Sequence, residues 1–260
     1  MGVVATVDLA HARVKLAIQM TDTSTTQITA GRVDANGYTE LIRAGDLIDV
    51  TNGQTTMRDY EAPLDLPVYY QIYQVTPDNG EVQTSNTVTV PSNGASWLKD
   101  PGYPSMNFKV PVVTSIQTLT RAARAGVFNV LDRPLPIVVT AKRQGPVGTL
   151  IAHTITDMQR NNLTDLLARG TTLLLQTPWA FGFGSQYVSI GDVEEARVGV
   201  AQETIRQWTL PFIVVDRPDG LAAIADSGAT WSDVKSQFNT WADLTASGKS
   251  WSDLLEDGPW

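Results

Sequence analysis

The sequence predicts a mainly β protein of two domains, closed by a run of short helices. Three observations carry that prediction. Turn residues break the first 90 positions into short stretches of alternating apolar and polar side chains; strand-like stretches return after residue 111 around a single helical pattern; and a tryptophan-bearing unit recurs every ten residues near the end. At 260 residues the chain exceeds one domain of the usual size, roughly 100–150 residues, and accommodates two with an appendage. With 42% hydrophobic and 18% charged residues, its composition is that of a chain that folds.

Within residues 1–90, strands are predicted near Val14–Met20, Gln27–Val33, Tyr38–Ile42, Thr55–Tyr60, Val68–Val75 and Val82–Val90. Short strands separated by turn residues at this density form the pattern of an all-β sandwich. The clearest unit is VYYQIYQVTPDNGEVQTSNTVTV, in which two β-branched and aromatic runs flank Pro77-Asp78-Asn79-Gly80. Those residues tolerate the positive φ of a hairpin turn, so the two runs should pair as antiparallel neighbours. Residues 91–111 follow with four prolines, two glycines and no usable periodicity. They are expected to form an irregular connector that Trp97 and Leu98 pin to one domain.

Strands are predicted again across 112–217, at Val112–Thr118, Gly126–Leu131, Leu135–Lys142, Thr149–Ile155, Thr172–Thr177, Gln186–Ile190, Ala196–Ala201 and Ile205–Val215. One helix, over 157–169, interrupts them. Thr156 and Gln159 have capping-box spacing, Leu163, Leu166 and Leu167 make an apolar stripe, and Arg169-Gly170 supplies a cationic last turn with a left-handed stop. The expected architecture is a β-barrel or sandwich with one packed helix.

Residues 218–260 contain Thr230-Trp231-Ser232-Asp233-Val234, Thr240-Trp241-Ala242-Asp243-Leu244 and Ser250-Trp251-Ser252-Asp253-Leu254. Ten residues turn an α-helix through about 1000°, leaving successive tryptophans about 80° apart, so one unbroken helix would not align them. Thr or Ser followed three residues later by Asp is a helix-start pattern, and each unit should begin its own helix. Gly228, Asn239, Gly248 and Gly258 supply the stops. Helices this short do not hold in water alone and must dock. Trp231, Val234, Trp241, Leu244, Trp251, Leu254 and Trp260 are therefore the predicted interface residues. They cover either the chain's own β domain or a neighbouring subunit, and the pattern leaves both open; in a third reading the rings stack on sugars.

Catalytic chemistry finds no motif. Without cysteine there is no thiol catalysis, disulfide or cysteine-ligated metal. The two histidines, His11 and His153, fall in different predicted domains, and neither G-x-S-x-G nor H-E-x-x-H occurs. Gly182-Phe183-Gly184-Ser185 lacks the lysine of a phosphate loop and reads as a loop tip. Glu194 and Glu195 are adjacent and would point to opposite faces of a strand. No enzyme activity, cofactor or metal is expected. The N-terminal residues lack the pattern of a secretion signal, and no run of 18 apolar residues occurs, so a product made in the cytoplasm with no membrane span is expected.

The net charge of −8 divides unevenly: residues 1–90 sum to −6, 91–217 to +3 and 218–260 to −5. Dispersed basic residues in an acidic chain argue against nucleic-acid binding. An acidic end meeting the basic middle of a neighbour and independently solvated surfaces are both compatible with this pattern.

Leu64, Pro67 and Tyr70 precede the hairpin much as the leucine, proline and corner tyrosine do in fibronectin type III and related immunoglobulin-like domains, which the first 90 residues resemble. Beyond them, Trp97-Leu98-Lys99-Asp100-Pro101, RPLPIVVTAKR, YVSIGDVEEARV, WTLPFIVVDRP and the Trp-x-Asp-Val/Leu tail occur in an order that resembles minor tail proteins of long-tailed bacteriophages of actinomycete-type bacteria. Residues 112–217 further resemble the β-barrel-plus-helix ring domain of tail-tube and distal-tail proteins. The resemblance implies a structural virion component at the tail tip that forms a hexameric or trimeric ring and contacts other tail proteins. Its implied order is an immunoglobulin-like domain over 1–90, a connector over 91–111, a ring domain over 112–217 and a helical docking segment over 218–260. One departure is that distal-tail proteins often carry the ring domain first. An alternative is a carbohydrate-binding tail module that touches host cell-wall glycan through Trp179 and Phe183.

Overall fold

The computed structural model of the chain describes residues 2–75, 80–110, 112–116, 118–129, 131, 134–200, 203–218 and 240–246. The fold is mainly β. Two compact units are present, the first comprising Met1–Lys109, Leu174–Ser185 and Pro218–Trp260, the second Val110–Leu173 and Gln186–Arg217.

The first unit begins with β1 (Val3–Asp8), β2 (Arg13–Gln19), β3 (Gln27–Val33), β4 (Thr39–Leu41), β5 (Ile48–Asp49), β6 (Gln54–Asp59), β7 (Pro67–Gln74), β8 (Val82–Thr84) and β9 (Val88–Thr89). One sheet runs β1-β2-β6; the other runs β4-β3-β7-β8, with β5 on β3 and β9 on β7. All these pairings are antiparallel. Alternation along the strands explains the layering: Val14, Leu16 and Ile18 from one sheet join Ile28, Ala30, Val68, Tyr70 and Ile72 from the other in a single buried cluster.

The predicted hairpin forms, with Gln71 opposite Thr84 and Tyr73 opposite Val82; its tip, Pro77–Asn79, lies outside the described residues. The expected run Val82–Val90 divides in two because Ser85 and Asn86 turn to other partners. Ser85 Oγ accepts from the Tyr70 amide at 2.9 Å and donates to Asn86 O at 2.8 Å, while the Asn86 side chain brackets Ala5, accepting from its N–H at 2.9 Å and donating to its carbonyl at 3.0 Å. The opening strand β1 was not among the predicted ones, although Val3 and Ala5 are buried on its inward face.

The connector is more regular than expected. It holds β10 (Ser96–Lys99), a 3-10 turn at Pro104–Met106 and β11 (Phe108–Val110). All four residues of β10 are buried, so its sequence shows no alternation. Trp97 belongs to the core of the first unit, as expected of a pinning residue.

The remaining elements are β12 (Val112–Ile116), β13 (Arg124–Phe128), β14 (Ile137–Ala141), β15 (Val147–Thr154), α1 (Asp157–Ala168), β16 (Leu173–Gln176), β17 (Ser185–Ile190), β18 (Glu194–Arg197), β19 (Arg206–Val214) and α2 (Trp241–Ala246). β16 lies antiparallel to β10, placing Leu98 opposite Leu175. In the second unit, β19 is flanked by β15 on one side and by β17 and β18 on the other, and β12 adds outside β15. The β15–β19 register sets Leu150 opposite Leu210 and Ala152 opposite Trp208, aligning the buried faces of both strands. Trp208 donates its indole N–H to Thr154 Oγ1 at 3.0 Å, which satisfies the polar edge of a buried ring.

α1 follows its sequence signals. Thr156 Oγ1 accepts from the Gln159 amide at 3.2 Å, the Gln159 side chain accepts from the Thr156 N–H at 3.3 Å, and Leu163 and Leu166 are fully buried. Gly170 stops the helix with φ +64°, a conformation that costs glycine nothing sterically.

Candidate assembly surface

The β13–β14 hairpin is built from ARAGVF and PIVVTAK, sequences rich in β-branched and small residues. Its register pairs Arg124 with Ala141, Gly126 with Val139, Val127 with Val138 and Phe128 with Ile137. Gly126 matters on that face, since a Cβ there would meet the Phe128 ring at 3.0 Å. Period-two alternation places Phe128, Ile137 and Val139 on one face, and Val127 and Val138 on the other. Both faces are therefore apolar.

Among the described residues this ribbon pairs with no other strand. Nine of its ten residues are exposed and only Gly126 is intermediate. Val127 and Val139 are each 60% exposed, and Leu131 beyond the strand is 94% exposed. Burying such side chains stabilises each by about 1.5–3 kcal/mol, and here they stay exposed. An isolated two-stranded ribbon is marginal in water, and a contiguous apolar patch marks an interaction site. Arg121, Arg124, Lys142 and Arg143 are exposed around it, with Arg143 donating to Arg121 O at 3.1 Å. The surface is apolar with a cationic rim.

No protein-family model matches the chain, and no curated protein does either.

The predicted interface residues divide by description. Trp241 and Leu244 lie on α2, which is capped as its sequence requires: Thr240 Oγ1 accepts from the Asp243 amide at 3.2 Å, and Asp243 Oδ2 accepts from the Thr240 amide at 3.0 Å. Trp231, Val234, Trp251, Leu254 and Trp260 lie outside the described residues. In the turn Trp179–Phe181, Trp179 is 60% and Phe181 50% exposed, while Phe183 is half-buried; Trp179 donates its backbone N–H to Asp65 Oδ2 at 3.3 Å.

A group of ionisable side chains crosses the sandwich of the first unit. Asp59, on β6, accepts from Arg32 Nη1 on β3 at 2.8 Å, from the Tyr70 hydroxyl on β7 at 3.0 Å and from the Glu61 amide at 2.9 Å. Tyr70 thus spends its hydroxyl on a carboxylate in the facing sheet, where a tyrosine corner would use backbone. Glu61 accepts from Arg43 Nε at 2.5 Å, and Arg32 Nη2 reaches Glu40 at 2.5 Å. Burial disfavours the Arg32 cation, yet Asp59 and Glu40 override it and raise its pKa; burial and Asp59 push the Tyr70 hydroxyl up.

Lys99 is buried beside this group. Its Nζ donates to Ala12 O at 2.6 Å and Tyr60 O at 2.8 Å, tying β10 to two segments of the sandwich. Burial pulls its pKa down to about 7, against the opposing pull of Asp59 and Glu61. A cavity of about 20 Å³, lined among others by Asp59, Glu61 and Lys99, has room for a single water. At the rim of the sheet, burial raises the Asp8 pKa, but the Arg13 hydrogen bond and charge, then His11 and Lys15, lower it to about 2. The carboxylates of this group are each matched by cations or donors, and the arrangement acts as a brace between sheets.

The residues weighed for chemistry lie apart. His11 contacts Asp8 in the first unit, and His153 faces Gln207 in the second. Glu195 accepts both Arg160 Nε at 2.6 Å and Nη2 at 3.1 Å, with Arg206 at 3.3 Å, so it joins α1 to β18. Its pKa is lowered chiefly by the Arg160 hydrogen bonds. Among the described residues, no three acidic or histidine side chains are grouped to hold a metal ion, and no helix is long and apolar enough to cross a membrane.

Proposed function

We propose that this chain is a structural, non-catalytic component of the tail tip of a long-tailed bacteriophage, which assembles into a hexameric or trimeric ring and links the tail tube to tip proteins. The observation that carries the reading is the β13–β14 hairpin, an apolar ribbon with both faces exposed, which a subunit needs only if a neighbour covers it. Head-to-tail contacts between unlike surfaces close into rings, and such a ribbon is one half of a contact of that kind.

Supporting the fold part of the reading, the sandwich sets three strands, β1-β2-β6, against four, β4-β3-β7-β8, the ordering of a fibronectin type III domain. A sheet with one packed helix after His153 supports a ring domain of the tail-tube kind. The virion is then the protein's location.

Negative-stain electron microscopy of the purified chain tests this directly. Annular particles with six-fold or three-fold symmetry are expected; a monomer at all concentrations up to the solubility limit would refute it. The exposed Trp179 and Phe181 favour a second reading, a tail module that binds host cell-wall glycan through stacked rings. Glycan-array binding lost on Trp179→Ala would favour that reading, and an array without binding would remove it.

A further inference from the structure

We propose that the acidic, tryptophan-bearing segment 219–260 of one copy docks on the β13–β14 hairpin of a second copy. This rests on the assembly reading above and names the two surfaces that meet.

The hairpin defines what its occupant must supply. Phe128, Ile137 and Val139 on one face and Val127 and Val138 on the other call for apolar rings and branched side chains. The rim calls for negative charge, since Arg121, Arg124, Lys142 and Arg143 are exposed around the ribbon.

Segment 219–260 has that chemistry. It carries four of the seven tryptophans, with seven acidic residues against Lys235 and Lys249 alone. Its described helix, α2, has six residues, far fewer than the roughly 12–15 an isolated helix needs in water. Thr240 and Asp243 cap it, and their pattern recurs at Thr230/Asp233 and Ser250/Asp253. A series of short helix-start patterns of this kind gains stability only from a surface it can cover. Arg43 Nη1 donates to Pro218 O at 3.1 Å, which ties the residue that precedes the segment to the first unit. A second copy is the occupant because pairing two unlike surfaces, one acidic and one basic, leaves each subunit with one of each to offer onward, the condition for ring closure.

The absence of cysteine makes the test direct. Val138→Cys combined with Ala242→Cys, in the full-length chain, is oxidised with copper–phenanthroline and run on a non-reducing gel. The mass of the unoxidised protein is measured in parallel by light scattering. Both positions are exposed, so folding should survive the changes, and Val139→Cys with Ala242→Cys samples the opposite face of the ribbon. The expected result is a ladder of disulfide-linked dimers and larger species from at least one pair. Adding Arg124→Glu and Lys142→Glu should lower its yield by about tenfold, the effect of losing roughly 1.4 kcal/mol of docking. Monomers bearing an internal disulfide would overturn the inference in favour of docking within one chain. An oligomer of unchanged mass that forms no disulfide with either pair would overturn it while leaving the assembly reading standing. A monomer before oxidation would overturn both.

Discussion

Lys99 offers a sharp test of how the first unit is held together. Its ammonium is fully buried, and its pKa falls from 10.5 to about 7. In the unfolded chain the same group keeps its proton until about pH 10.4. Between those values the unfolded state binds more protons than the folded one, so stability rises with pH; the gain is complete above the unfolded pKa and is lost as pH falls through 7. From pH 7 to pH 9 the difference integrates to about 2 kcal/mol, at roughly 1.4 kcal/mol per pH unit. The geometry permits this, because a neutral amine still has two N–H groups for its two acceptors, Ala12 O and Tyr60 O. With an m-value of roughly 1–3 kcal/mol/M, the urea midpoint of the first unit should move up by about 1 M between pH 7 and pH 9. In Lys99→Met that rise should vanish, while the variant is less stable at either pH because both carbonyls lose their donor. If wild type and Lys99→Met show parallel profiles over this range, the amine keeps its proton, Asp59 and Glu61 outweigh burial, and the reasoning fails.

Tyr70→Phe should destabilise the first unit by about 1.5–3 kcal/mol in urea unfolding, since it strips a buried carboxylate of one donor and leaves Arg32 and the Glu61 amide. An unchanged midpoint would mean those two suffice. Thr156→Ala should cost about 1 kcal/mol and speed amide exchange in the first turn of α1, with the rest of the second unit unaffected.

Local signals were the legible part of the sequence. The capping boxes at Thr156 and Thr240, the hairpin between Tyr73 and Val82, and most strands of the sandwich follow from short-range chemistry that tertiary contacts reinforce. Elements whose role is set by distant partners were not legible. Ser96–Lys99 lacks alternation because both its faces are covered, and no local rule separates that from an irregular connector. Arg32, Asp59 and Tyr70 lie far apart in sequence and meet only because their strands face one another. The strands of the exposed hairpin were foreseen, but not its exposure. The signal was present in Ile137-Val138-Val139, an uninterrupted apolar run that needs cover on both faces. What the sequence does not say is that both faces of the ribbon are exposed.

The central claim is that the hairpin drives assembly, and sedimentation equilibrium on the wild-type chain and on Phe128→Ser with Val139→Ser tests it most directly. Both substituted positions are exposed in the single chain, so its secondary structure by circular dichroism should be retained. The account predicts a wild-type mass of three or six subunits and a variant that sediments as a monomer. Equal masses for the two proteins, or a monomeric wild type, would contradict it.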